Sequence, residues 1–200
     1  NEGFPSCTFN RNDVISTWTG VRPLIYEEGK KAGEISRSDE MMTSQTGLIS
    51  IAGGKLTAYR KMAERVVDHV VETLQKQGVV QHAKPCETLS TPLTGIKGIS
   101  HQYEAFLLEK TAELRERGFD DETAKRWVRT YGRHTDRVVQ LHDENGDQER
   151  LHRDLLAADV RFAVKHEQVL TVCDVLERRH SLFLFSHDQG RSAIDPVARI

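Results

Sequence analysis

Two adjacent glycines, Gly53 and Gly54, separate two different hydrophobic patterns in the first part of the chain. Before them, residues 47–52 (GLISIA) form a short apolar run bounded by glycine, which is typical of a β-strand. After them, apolar residues recur every three or four positions, as on one face of a helix from about Leu56 to Gln77. The predicted buried stripe consists of Tyr59, Ala63, Val66, Val70 and Leu74. The sequence therefore predicts a strand, a glycine turn and a long helix that packs through this stripe.

Further strands are predicted nearer the start of the chain. Asp13–Trp18 (DVISTW) and Gly20–Leu24 (GVRPL) are short runs with β-branched residues between turn formers. The polar stretch Glu27–Glu34 is expected to be a solvated loop. A connector with prolines follows the long helix. We expect domain boundaries at 1–78, 79–99 and 100–200.

The last hundred residues show mainly helical periodicity. Asp120 is a candidate N-cap, and Gly118 and Gly132 are candidate helix stops. The predicted helices are Gln102–Arg117, Asp121–Tyr131, His134–His142, Glu149–Glu167 and Thr171–Phe185. We expect a helical domain whose core includes Trp127, Leu155, Phe162, Leu170 and Leu176.

Composition excludes several classes of function. Lys and Arg number 28 against 30 Asp and Glu, a net charge of −2, so no global basic field favours nucleic acid. Three dispersed cysteines and the absence of an export signal predict a reducing, cytoplasmic location. The nine histidines lack metal-ligand spacing, so no metal is expected.

The glycine turn is the first candidate site. Gly53 and Gly54 would let a ligand approach the backbone, and the following helix start (Leu56, Thr57) would offer unpaired N–H groups. Lys55 adds a positive charge at this position. The alternative is a tight strand-to-helix turn with no ligand.

Arg22 is the second candidate. It lies in Gly20-Val21-Arg22-Pro23, a stiff segment that would hold a guanidinium in place for phosphate or carboxylate. The alternative is a surface arginine in a structural ion pair.

Taken together, these segments resemble a known family. The order DVISTWTGVRPLI, ISRSDEM and GLISIAGGKLTAYRKMAERVVDHV resembles the end of the FAD domain of FAD-dependent glycerol-3-phosphate dehydrogenases and the similar α-glycerophosphate oxidases. The stretches CETLSTPL and DLLAADVRFAVKHEQVLTVCDVLERRHSLFLF resemble the family's C-terminal domain. The resemblance implies an α/β remnant of an FAD-binding (Rossmann-like) domain followed by an all-α C-terminal helical domain.

The resemblance also implies chemistry for the candidate residues. Gly53, Gly54, Lys55, Leu56 and Thr57 would lie against the pyrimidine edge of FAD, where negative charge develops on reduction. Arg22 and Lys55 would be catalytic and would hold the substrate, glycerol 3-phosphate. Arg37 would be a further substrate-binding arginine.

What the chain lacks is also informative. The family's GxGxxG fingerprint is absent, so we expect a C-terminal portion that is inactive alone. The resemblance implies quinone or oxygen as electron acceptor, and leaves open a homodimer. A peripheral membrane contact near residues 177–185 is also open, and the favoured alternative there is bundle core with a solvated pair of arginines, Arg178 and Arg179. A non-catalytic helical interaction module is the alternative function.

Overall fold

The structure, a computed structural model, describes residues 3, 5–21, 25, 28–29, 38–146, 150–153 and 155–200. The chain divides into two compact units, one of residues 19–91 and one of residues 1–18 with 92–200. These compact units do not test the domain boundaries expected from the sequence, at 1–78, 79–99 and 100–200, which remain a proposal. No helix in the described part of the chain is long and apolar enough to cross a bilayer.

The described ranges are mainly helical with two small antiparallel sheets. The strands are β1 (Asp39–Thr43), β2 (Ile49–Gly53), β3 (Arg150–His152) and β4 (Leu155–Leu156). The helices are α1 (Tyr59–Lys76), α2 (Tyr103–Glu116), α3 (Asp121–Tyr131), α4 (Thr135–Asn145), α5 (Ala157–His166), α6 (Leu182–Phe185) and α7 (Ile194–Ala198). A π-helical segment covers Asp174–Arg179.

The unit of residues 19–91 is built from the β1–β2 hairpin and α1. Met41 pairs with Ile51 in the centre of the ladder, and Gly47 takes a positive φ of 86° in the turn. A 3-10 turn, Leu56–Ala58, leads into α1, so the predicted continuous helix after Gly54 is confirmed. The connection consists of β2, the glycine pair and the helix, as predicted.

The predicted burial of the α1 stripe is wrong. Tyr59 is 66 % exposed, Ala63 is exposed, and Val66, Val70 and Leu74 are only half-buried. The helix contacts the hairpin through a different edge, with an ion pair from Arg65 to Asp39 and a His69–Thr43 contact of 3.4 Å. Within the described residues of 38–91, no side chain is fully buried. Among the described residues, nothing forms a covering layer over the stripe.

The predicted strand at Asp13–Trp18 is also wrong. The Asn10 side chain accepts from Asn12 N at 2.9 Å, and Asp13 accepts from Asn10 N at 2.8 Å. These bonds close a 3-10 turn at Arg11–Asp13, and residues 14–18 form no strand. Of the next two predicted segments, Arg22, Pro23 and Leu24 lie outside the described residues, as does most of Glu27–Glu34.

The helical unit contains the core. Helices α2 to α5 enclose one apolar cluster around Trp127, Val128 and Val138, which are fully buried. Residues 151–200 enclose a second cluster around Leu155, Val160 and Val175. The predicted core positions Trp127, Leu155, Phe162 and Leu176 are confirmed, but Leu170 is 90 % exposed.

Two predicted helices are shorter than expected. The first half of Glu149–Glu167 is the β3–β4 hairpin, because Arg153 takes a positive φ of 32° and α5 begins only where Asp159 accepts from Leu156 N at 3.0 Å. Thr171–Phe185 is interrupted at Ser181, whose φ of 57° is incompatible with a continuing right-handed helix. Helices α2, α3 and α4 lie close to their predicted positions.

Candidate functional site

The glycine turn opens onto an apolar groove of about 470 Å³. Its walls come from the end of β2 and the first two turns of α1. The lining residues are Ile51, Gly53, Gly54, Lys55, Leu56, Tyr59, Met62, Ala63, Val66 and Val67. The first three residues of the α1 stripe, Tyr59, Ala63 and Val66, thus line the same groove as the glycine turn.

The structure itself explains why glycine occupies positions 53 and 54. Gly53 and Gly54 have φ of 77° and 81°, which L-residues rarely adopt. A Cβ on Gly53 would lie 2.6 Å from the Ser38 carbonyl oxygen, and one on Gly54 would lie 2.8 Å from Met62. Close packing against the Ser38 backbone therefore requires glycine at position 53. At position 54 the positive φ favours glycine, since the end of the Met62 side chain could move. Both reasons hold whether or not a ligand approaches.

The helix start beside the turn carries no side-chain cap. Lys55 occupies the N-cap position of the 3-10 turn, and neither Lys55 nor Ala58 makes a capping hydrogen bond. Lys55 is exposed, and it makes no ion pair with the described residues. Lys55 and Leu56, at the start of the helical turn, both line the groove, so a cation and a helix N-terminus lie beside it, an arrangement that favours a negatively charged group.

The structure does not place the other predicted site residues, Arg22, Arg37 and Thr57, in the groove lining. Arg22 and Arg37 fall outside the described residues, so their roles remain predictions. Thr57 is exposed in the 3-10 turn but does not line the groove. Sequence reasoning missed Met62, whose position three residues after Tyr59 was the available signal.

The segment considered for membrane contact has a mixed environment. Leu182 is buried, whereas Phe183 and Phe185 are 44 % and 67 % exposed. The predicted bundle core therefore includes Leu182 but not the two aromatic rings.

Comparison with known proteins places residues 86–200 within the family model described as the C-terminal domain of alpha-glycerophosphate oxidase. An aerobic glycerol-3-phosphate dehydrogenase of Bacillus subtilis (strain 168) is 38 % identical over 201 residues, covering 98 % of this chain and 36 % of the relative. Proteins of the same name from Staphylococcus haemolyticus (strain JCSC1435) and Staphylococcus aureus (strain USA300) are 35 % and 36 % identical, over 98 % and 93 % of this chain and 35 % and 33 % of their own length.

The chain spans about a third of the length of the curated relatives that it matches. The family model covers more than half of the chain, and it includes every helix of the bundle from α2 onward. The chain therefore belongs to the alpha-glycerophosphate oxidase family, of which it carries the C-terminal domain.

Proposed function

We propose that this chain is the C-terminal part of an FAD-dependent enzyme that oxidises sn-glycerol 3-phosphate to dihydroxyacetone phosphate. The observation that carries the proposal is the identity of 38 % with the B. subtilis aerobic glycerol-3-phosphate dehydrogenase, sustained across 98 % of the chain. The match runs through the glycine turn as well as the helical bundle, so it includes the groove.

The residues at the groove fit a flavin edge. The walls are apolar, as suits an aromatic ring system, and the uncapped helix start and Lys55 supply donors at one end. When bound, FAD would accept the hydride that leaves C2 of the substrate. Lys55 and the first helix amides would stabilise negative charge at the pyrimidine edge, and Gly53, Gly54 and Leu56 would form the surface beneath it.

The remaining roles follow the family pattern. Arg22 and Arg37 would bind the phosphate of glycerol 3-phosphate, Arg22 and Lys55 being the catalytic pair. The segment 1–78 would complete a Rossmann-like FAD domain, and the uncovered stripe of α1 would pack against the part of that domain that lies outside this chain. The segment 79–99 would connect it to the helical domain.

The electron acceptor would be quinone or oxygen. The exposed rings of Phe183 and Phe185 support a peripheral contact with the cytoplasmic face of the membrane. Arg178 and Arg179 would add little to it, because each is already paired with a carboxylate. A homodimer would be compatible with either acceptor.

A hybrid enzyme tests the role of Lys55. The hybrid joins the part of the B. subtilis dehydrogenase that this chain does not match to the present 200 residues. We expect Lys55→Ala to lower kcat/KM for glycerol 3-phosphate by about tenfold to a hundredfold, because one charge-assisted contact is lost.

Lys76→Ala is the matched control, since Lys76 is an exposed lysine in the last turn of the same helix. Its kcat/KM should equal that of the unmodified hybrid. Equal kcat/KM in the Lys55 and Lys76 variants would remove Lys55 from the site.

A further inference from the structure

A second cleft lies within the helical bundle, and the proposed flavin chemistry does not use it. The 3-10 turn at Thr94–Ile96 crosses the C-terminal end of α3 and encloses a volume of about 310 Å³. Gly132 permits this crossing, because a Cβ there would lie 2.2 Å from the Gly95 carbonyl oxygen. The cleft is therefore built by a close backbone contact rather than by loosely packed side chains.

The lining of the cleft combines apolar and polar residues. The apolar part includes Ile96, Tyr131 and Phe162, of which Tyr131 and Phe162 are buried core residues. The polar lining residues are Thr94, Tyr103, Arg129, Thr130, His134 and Glu167. An apolar body and a few convergent polar groups are the usual elements of a small-molecule site.

The charge of the cleft is positive. Arg129 makes no ion pair or hydrogen bond with any described residue, and the same holds for the side chains of Thr94, Tyr103, Thr130 and His134. Glu167 is the one acidic residue among the described residues that line the cleft, and its carboxylate lies 3.4 Å from the guanidinium of Arg179. Within the part of the chain that the structure describes, Arg129 thus has no counter-charge, and it lines the same cleft as three hydroxyl side chains that make no hydrogen bond there.

We propose that this cleft binds a small organic anion, with a phosphate or carboxylate headgroup on Arg129 and an apolar body on Ile96 and Phe162. A guanidinium presents paired donors that match the oxygen atoms of either headgroup. The hydroxyls of Thr94, Thr130 and Tyr103 supply further donors around it. The site is independent of the proposed flavin groove, since all of its residues belong to the helical unit.

Calorimetric titration of the full 200-residue chain tests the proposal. The probes are phenyl phosphate and benzoate, which share an aromatic body and differ in headgroup, with benzyl alcohol as the neutral control. We expect saturable binding of at least one anion and none of the alcohol. The stronger of the two anions identifies the headgroup for which the cleft is built.

Variants locate the binding. Arg129→Gln should weaken the anion at least about tenfold, because a charge-assisted hydrogen bond is lost. Arg137→Gln is the matched control, since Arg137 is also exposed and unpaired among the described residues but does not line the cleft. Thr94→Phe, at an exposed position, should block the cleft without disturbing the core.

The result that would overturn the proposal is the absence of saturable anion binding, or an equal loss in the Arg129 and Arg137 variants. Amide chemical shifts provide a second readout, with the expected changes confined to residues 93–96 and 129–134. Changes centred on the glycine turn at Gly53 would assign the anion to the flavin groove instead.

Discussion

At the scale of single residues, Asp159 joins α3 to α5 through one buried carboxylate. It accepts from Arg126 at 2.8 and 2.7 Å, from Trp127 Nε1 at 3.0 Å and from the Tyr131 hydroxyl at 2.7 Å. Burial opposes its ionisation, but the hydrogen bonds and charge of Arg126 hold the pKa of Asp159 below its ordinary value. Burial and the neighbouring Asp159 charge raise the pKa of Tyr131, so that hydroxyl remains a donor.

Asp159→Asn should therefore destabilise the helical unit strongly. The amide keeps the shape but leaves the Arg126 guanidinium, 18 % exposed, without its counter-charge. We expect the free energy of unfolding in urea to fall by about 3–5 kcal/mol. Asp143→Asn, at a half-exposed ion pair with Arg117, should cost less than about 1 kcal/mol. Similar losses of unfolding free energy in the two variants would show that the buried ion pair stabilises the fold no more than the exposed one.

The glycines at positive φ differ in what surrounds them. Gly132→Ala and Gly118→Ala both force an L-residue into a strained backbone, at about 1–2 kcal/mol each. Only at Gly132 does the added Cβ also meet the Gly95 carbonyl oxygen, whereas nothing lies within 4 Å at Gly118. We expect Gly132→Ala to lower the free energy of unfolding in urea by about 1–3 kcal/mol more than Gly118→Ala does. Equal losses would contradict the close approach of the two backbone segments.

At the scale of elements, local signals decided which predictions succeeded. Helix α3 was predictable because Asp120 caps it, with Thr123 N donating to its Oδ1 at 2.9 Å, and Gly132 ends it. The β3–β4 hairpin was not, because Leu151 and Leu155 are spaced as on a helix face and also fit a buried hairpin. The stripe of α1 was recognised correctly, but its burial depends on a covering layer that no local pattern specifies.

Of the candidate sites, the glycine turn was predictable from two adjacent glycines. The cleft at Arg129 was not predictable, because it forms where segments distant in the sequence cross.

The cap of α3 should give stability that depends on pH. The backbone hydrogen bond from Thr123 lowers the pKa of Asp120 to about 2, from an ordinary value of 3.8. The contribution of the ionised cap is therefore fully present above about pH 4 and is lost as the pH falls through about 2. We expect Asp120→Ala to cost about 1 kcal/mol at pH 6 in urea unfolding. The difference between wild type and variant should shrink as the pH falls from about 4 to below about 2, and a constant difference would contradict the role of the charge.

At the scale of the whole molecule, the two units differ in how they bury apolar surface. The helical unit encloses two core clusters, whereas the described residues of 38–91 have no fully buried side chain. The stripe of α1 and the groove beside Gly53 are therefore an apolar surface that the described residues leave uncovered. The relatives that the chain matches are about three times as long.

The 200-residue chain alone should bind FAD only weakly. The pyrophosphate and ribose of a dinucleotide are normally held by a first βαβ unit with a glycine-rich fingerprint, and this sequence contains no such fingerprint. Fluorescence titration with FAD should show no saturation in the micromolar range. Micromolar or tighter binding would mean that the groove holds far more of the cofactor than its flavin edge.

Anaerobic reduction of bound flavin in the hybrid enzyme tests the central claim most directly. The hybrid, with the present 200 residues unmodified, is loaded with FAD and mixed with glycerol 3-phosphate in the absence of oxygen, beside the parent B. subtilis enzyme. We predict that the absorbance of oxidised flavin is lost in both proteins. A folded, flavin-loaded hybrid whose absorbance stays unchanged while the parent's is lost would contradict the claim that this chain completes a glycerol-3-phosphate dehydrogenase.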